Sequence, residues 1–213
     1  MMTALPVIWS GRSRAVPPLA AALLVAALAG CAGVPVNTAQ QEAAWQRHAA
    51  WVRAQHDWRL AGRFALKIGH RGWTASLHWR ERGGDYRIDI FDPLGRTVAQ
   101  LDGGPQRVTL RADGSAPRQA GSAAALMQAE LGWSLPVAGL RYWVRGVPAP
   151  GSQPTRMRFD GSGRLTSLVQ SGWEISYLDY NEALGARALP ARLRLVNGDV
   201  RLTLLVDRWG AAQ

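Results

Sequence analysis

Cysteine and lysine are nearly missing from the 213-residue chain, with Cys31 and Lys67 the sole members of their kinds. A single cysteine excludes an intramolecular disulfide framework and any zinc or iron–sulfur site built from several thiolates. Charge is sparse at 19% of residues, against ~25% in an ordinary globular protein. It is also one-sided, with 25 Lys and Arg facing 15 Asp and Glu for a formal net charge of +10. Phe and Tyr number 3 and 4, whereas Trp numbers 10. Catalytic signatures are missing as well: no G-x-S-x-G elbow, no Gly-rich phosphate loop and no H-E-x-x-H pair occurs. His48 and His56 fall too far apart on one helix to share a metal, His70 lies in a turn, and His78 is on a polar strand face. Neither an enzyme, a cofactor nor a metal is therefore expected. The arginines are spread along polar strand faces rather than packed into a basic block, which argues against nucleic acid. Anionic lipid head groups or an acidic partner suit that spacing better, although an Arg-rich genome by itself would also produce it.

What is present starts with an address. Arg12 and Arg14 precede an apolar run, Ala15 to Ala29, broken only by Pro17-Pro18. That run is shorter than the ~20 apolar residues a bilayer span needs. A charged start, a short apolar run and small residues at its end describe a secretory signal. The run closes Leu28-Ala29-Gly30-Cys31. Small residues at 29 and 30 fit a peptidase groove, and Cys31 at the cleavage point offers a thiol for acylation. The arrangement resembles the lipobox of bacterial lipoproteins. Residues 1–30 are then a lipoprotein signal peptide and Cys31 a lipid anchor. Residues 31–38, with Pro35, form a lipidated tether, and removal of Arg12 and Arg14 lowers the charge from +10 to +8. Several acyl chains on one residue give stable anchoring at ~0.8 kcal/mol per buried CH₂. Residue 32 is Ala rather than Asp, which resembles an outer-membrane address rather than inner-membrane retention.

The remainder, 39–213, reads as a single domain. Thr38 and Gln41 form a capping box, and Trp45, His48, Trp51 and Val52 keep helical spacing, predicting a helix from Ala39 to about His56. From Trp58 the period changes to two. Leu60, Phe64, Leu66 and Ile68, then Trp73, Leu77 and Trp79, then Tyr86, Ile88 and Ile90 alternate with polar residues, separated by turns at 69–72 and 82–85. Two short strands follow, at 96–101 and 107–111. Helices are predicted over Ser122–Leu131 and Val137–Arg145, with a Pro-rich loop at 147–154. Strand patterning returns at 156–159, 165–170 and 173–177, and around Leu193 and Leu195. It closes at 200–206 after the Asn197-Gly198 hairpin turn. About ten or eleven antiparallel strands with a helical insert make an α+β protein whose sheet curls toward a barrel. In the loop Asp92-Pro93-Leu94-Gly95, Pro93 blocks pairing and Gly95 permits a turn. On turn chemistry alone, Leu94 is expected to fold back into the core.

The ordered set of motifs carries more. The lipobox is followed by a helix with Trp45, His48 and Trp51, by Trp58-x-Leu60-x-Gly62-Arg63-Phe64-Ala65, and by Asp92-Pro93-Leu94-Gly95. Leu131-Gly132-Trp133-x-Leu135-Pro136-Val137, Leu140-x-Tyr142-Trp143-Val144-x-Gly146, Gln170-x-Gly172-Trp173-x-Ile175-x-Tyr177, Leu189-Pro190 and Trp209 complete the series. From Cys31 to the C-terminus this resembles the outer-membrane lipoprotein receptor family LolB. The resemblance implies an incomplete antiparallel β-barrel with a helical lid over a hydrophobic cavity, anchored on the periplasmic face of the outer membrane. It implies a monomer that takes lipoproteins from the periplasmic carrier LolA, holds the acyl chains of that cargo, and inserts it among outer-membrane phospholipids. The exposed loop leucine of the family maps onto Leu94, flanked by Pro93 and Gly95, which reverses the expectation from turn chemistry. The cavity wall would come from Phe64, Leu66, Leu77, Trp79, Ile88 and Ile90, with Leu126, Met127, Leu131 and Trp143 as lid contacts. Two other readings of the same pattern remain open: an envelope lipoprotein that binds another apolar ligand, such as a fatty acid or glycolipid, and a structural lipoprotein with a filled core.

Overall fold

The computed structural model describes residues 38–131 and 134–211, within a compact unit running from Asn37 to Gln213. The signal peptide and Cys31 lie outside the described residues, as do the tether up to Asn37 and the side chain of Leu131. Helix α1 (Ala39–Ala54) starts where the capping box places it. Gln41 N–H donates to Thr38 Oγ1 at 3.1 Å, and Thr38 N–H to Gln41 Oε1 at 2.8 Å. The helix ends two residues before His56 because Gln55 turns extended and its N–H returns to the Val52 carbonyl. Its apolar face buries Trp45, His48, Ala49 and Val52.

The strands follow the alternation closely: β1 (Trp58–Ile68), β2 (Arg71–Arg82), β3 (Asp85–Phe91), β4 (Thr97–Gly103) and β5 (Val108–Ala112). A three-residue strand β6 (Arg118–Ala120) escapes the pattern because three residues carry no period. Helices α2 (Ala123–Leu131) and α3 (Val137–Trp143) come next. The second half holds β7 (Arg156–Phe159), β8 (Leu165–Gln170), β9 (Trp173–Tyr180), a 3₁₀ turn at Glu182–Arg187, β10 (Pro190–Asn197) and β11 (Val200–Gly210).

All eleven strands form one antiparallel sheet in the order β6-β5-β4-β3-β2-β1-β11-β10-β9-β8-β7. The two halves meet where β1 pairs with β11, so the long first and last strands are the spine. A register shift at Ala61/Gly62 bends this seam. A Cβ at Gly62 would lie 2.2 Å from the Leu205 carbonyl oxygen, so only glycine allows that approach. Register places one apolar face across the whole sheet. Leu66, Leu202, Leu195, Ile175, Leu168 and Met157 form one row across six strands. Leu60, Trp79, Ile88, Leu101 and Leu110 form another across β1 to β5. Edge strands β6 and β7 do not pair with each other, so the barrel stays open. The chain from one edge to the other is the insert carrying α2 and α3.

Candidate functional site

Helix α3 lies on the apolar inner face and is held from both halves of the sheet. On one side, Trp143 Nε1–H donates to Gln170 Oε1 at 2.7 Å, and Tyr177 O–H to the Trp143 carbonyl at 3.0 Å. Gln170 also clips the Pro-rich loop, accepting from Ala149 N–H and donating to the carbonyls of Ala149 and Ser152. On the other side is Glu81. Along β2 the inward parity runs Leu77, Trp79, Glu81, so a carboxylate points into the core and is only 2% exposed. Arg141 of α3 donates Nε–H to both its oxygens at 2.9 Å and adds a second prong from Nη2. Trp79 Nε1–H donates to Glu81 Oε1 at 2.9 Å. Burial pushes the Glu81 carboxyl above its ordinary 4.5, and the Arg141 hydrogen bonds and charge only partly offset this.

Arg145, one turn on, is also buried, and its desolvation lowers its guanidinium pKa. Its Nη1 caps the end of α1, donating to the carbonyls of Val52 and Gln55 at 3.1 and 2.9 Å. The guanidinium stacks over the Trp58 and Tyr142 rings. One buried arginine, one partly exposed arginine and one buried carboxylate therefore tie α1, α3 and β2 together. Where these elements meet, a cleft of about 840 Å³ opens at the helical end of the barrel. Trp45, Trp58, Tyr142, Met157, Pro148 and Pro154 supply its apolar walls, and Arg53, Arg141, Arg145 and Glu81 its polar ones. The volume lies within the ~300–1,000 Å³ range of ligand pockets.

The residues expected to wall a cavity belong to the core along the inner face of the sheet. Leu66, Leu77, Trp79, Ile88, Leu126 and Trp143 are buried, while Phe64, Ile90 and Met127 are half-buried against them. None of these is among the described residues lining the cleft. Trp79 stands directly behind it, its ring centroid 5.4 Å from that of Trp58. Sequence reading missed Glu81, Arg141 and Arg145. The inward parity of Glu81 is a signal that could have marked it, but its partner is sixty positions away.

The second feature is the β3–β4 tip. Asp92 organises it, its Oδ1 accepting from the N–H groups of Leu94 and Arg96 at 2.9 Å. Its Oδ2 takes Arg96 Nε–H at 2.7 Å, and Gly95 N–H returns to the Asp92 carbonyl. The Arg96 N–H bond leads the causes that hold the Asp92 carboxyl below its ordinary value. Gly95 takes φ of +81°. With both flanks locked, Leu94 stands 81% exposed rather than folded into the core. The β7–β8 tip repeats the device in Asp160-Gly161-Ser162-Gly163-Arg164, with the same bonds from Asp160 to residues 162 and 164. There the position of Leu94 is occupied by Ser162, and the tip packs on α1: a Cβ at Gly163 would lie 2.4 Å from Trp45 N. The β3–β4 tip meets nothing comparable, for a Cβ at Gly95 has no neighbour within 4 Å among the described residues.

A family model described as outer membrane lipoprotein LolB matches residues 56–209. The chain belongs to the LolB family. An outer-membrane lipoprotein LolB from Nitrosococcus oceani is 42% identical over 184 residues, covering 85% of this chain and 91% of that one. One from Stutzerimonas stutzeri is 37% identical over 203 residues, covering 92% and 96%. Among solved structures, a LolA superfamily protein from Nitrosomonas europaea aligns with a TM-score of 0.49 at 10% identity, over 83% of this chain and 95% of that one. Membership in the family makes the chain an outer-membrane lipoprotein. No helix among the described residues is long and apolar enough to cross a membrane.

Proposed function

We propose that the protein is a receptor that accepts lipoproteins from the periplasmic carrier LolA, shelters their acyl chains and delivers them into the phospholipid of the outer membrane. The observation that carries this reading is a sheet-wide apolar inner face covered by a short helix that a few polar bonds hold down. Lifting α3 exposes apolar surface at the cost of the Glu81–Arg141 and Gln170–Trp143 contacts. Acyl chains enter at the 840 Å³ cleft and replace α3 against Trp79, Ile88 and their row. The family resemblance supplies the cargo and the carrier. No nucleotide site is needed, since transfer runs downhill through differential affinity for the acyl chains.

Cys31 is the anchor in this reading, and Leu94, between Pro93 and Gly95, is the apolar probe that meets the bilayer during release. The test is transfer in vitro. A radiolabelled lipoprotein held by the carrier should pass to the purified receptor, and a photoreactive acyl chain should crosslink to the cleft wall at Trp58 or Met157. No transfer from the carrier would overturn the receptor reading.

A further inference from the structure

Some arginines of the sheet and its turns are neutralised. Arg63 pairs with Asp207, Arg87 and Arg111 with Asp102, and Arg164 with Asp160 and Glu182. No carboxylate among the described residues pairs with Lys67, Arg194 or Arg201. Lys67 stands directly opposite Arg201 across the β1–β11 seam, and Arg194, opposite Thr203, is the diagonal neighbour of Arg201. Like charges placed directly opposite one another destabilise a sheet, and an anion bound between them would relieve that repulsion. The three cations line a groove of about 720 Å³ together with His70, Gly72, Trp73 and Thr74. No Asp or Glu is among its described lining residues.

The groove lies at the end of the sheet opposite the cleft, the end that carries the Leu94 tip. Phe91 pairs with Ser76, so Leu94, three residues beyond Phe91, and Trp73, three before Ser76, extend toward the same end. Trp73 is 42% exposed and Leu94 81%. An exposed indole at the same sheet end as unpaired cations is the composition that settles at a bilayer surface, with the ring at head-group level and the cations on lipid phosphates.

We propose that the Lys67–Arg194–Arg201 groove binds the anionic head groups of phospholipids. Trp73 acts as a second interfacial anchor, so that the hairpin end docks on the bilayer before Leu94 inserts. The inference rests on the receptor reading and adds a lipid-selective docking step to it. The occupant is a head group within a bilayer, since the indole and the leucine project at the same end as the cations.

The test uses full-length lipidated protein reconstituted in vesicles. Gly72 lines the groove, and a Cβ there would meet only the Leu66 carbonyl at an ordinary 3.8 Å, so Gly72→Cys accepts an environment-sensitive fluorophore. Gln106→Cys, at the opposite end of the sheet, is the control, and the parent with Cys31 alone is the blank. In phosphatidylethanolamine vesicles containing phosphatidylglycerol, the probe at 72 should shift to the blue and be quenched by lipid-borne quencher, while the probe at 106 stays aqueous. Omitting phosphatidylglycerol, or raising salt to about 1 M, where screening acts within ~3 Å, should reverse the shift. Lys67→Gln with Arg201→Gln should weaken docking about 30-fold, as expected for two interfacial cations. An aqueous probe at 72, or a blue shift indifferent to phosphatidylglycerol and salt, overturns the proposal even if the double variant fails to fold. So does a response to inorganic phosphate alone, which would mark a free-anion site. Cargo transfer in the same vesicles separates the two ideas: transfer with an aqueous probe at 72 removes only the docking step, whereas absent transfer removes the receptor reading.

Discussion

Arg141 on α3 and Glu81 on β2 meet in a two-pronged ion pair with the carboxylate fully inside the protein, and Arg141 Nη2 reaches on to the Gly84 carbonyl at 2.9 Å. One helix is thereby fastened to the strand that carries Trp79. Removing one partner of such a pair leaves a buried charge uncompensated, at a cost of about 3–5 kcal/mol. Arg141 is partly exposed, which places Arg141→Ala near the lower figure. A drop of about 10 °C in Tm is expected for a domain of this size. Calorimetry checks it, and an unchanged Tm would show that the pair does not hold α3.

The same carboxylate sets a pH dependence with a definite sign. Burial raises the Glu81 pKa above its unfolded 4.5. The native state then holds the proton more tightly, so this contribution is fully present below pH 4.5 and is lost as pH rises through the folded pKa. The stability difference between wild type and Glu81→Gln should therefore move in favour of the wild type as pH falls from 7 toward 4.5. Denaturant titrations of both proteins across that range measure it. A difference that moves the other way would mean that Arg141 outweighs burial.

Gln170 satisfies Trp143, Ala149 and Ser152 with a single fully buried amide. Gln170→Ala orphans several of those groups at about 1–3 kcal/mol each. A loss of at least about 3 kcal/mol is expected, with faster hydrogen exchange in α3 and in residues 149–152. Protection unchanged in that segment would argue that the Pro-rich loop is held by other contacts.

Gly163→Ala carries two penalties, the φ of +77° and a Cβ against the backbone of Trp45. It should loosen α1 from the β7–β8 tip and cost about 2–3 kcal/mol, whereas Gly95→Ala, with strain but no clash, should cost about 1 kcal/mol. Paired unfolding curves read the difference, and equal losses would show that the tip does not seat the helix.

Leu94→Glu changes a side chain that touches little, so stability should move by less than about 0.5 kcal/mol. Cargo acceptance should stay intact while release into liposomes falls about tenfold or more, the worth of burying one leucine in lipid. Release at the parent rate would remove the tip from the mechanism.

Most elements could be read from the chain because their signals are local. Alternation marked β1 to β5, and Thr38 with Gln41 marked the start of α1 within one turn. β6 and the 3₁₀ turn at Glu182–Arg187 were not legible, being too short to show a period. The exposed state of Leu94 was legible only through the family motif. Turn chemistry alone pointed the other way, because it does not count the bonds from Asp92 that lock both flanks of the leucine. The cleft was not legible at all, for its walls come from α1, β1, β2, α3 and the Pro-rich loop.

By itself the sequence determined that a curled antiparallel sheet with one apolar face would form, because strand period and turn residues act over a few neighbouring positions. It also determined the family, through the order of its motifs. The tertiary structure alone decided which apolar residues became solid core. It alone paired Glu81 with Arg141 and brought Lys67, Arg194 and Arg201 to one groove. Those outcomes depend on register between strands far apart in the chain and on where α3 comes to rest, and a carboxylate or a cation carries no local mark of the partner it will meet.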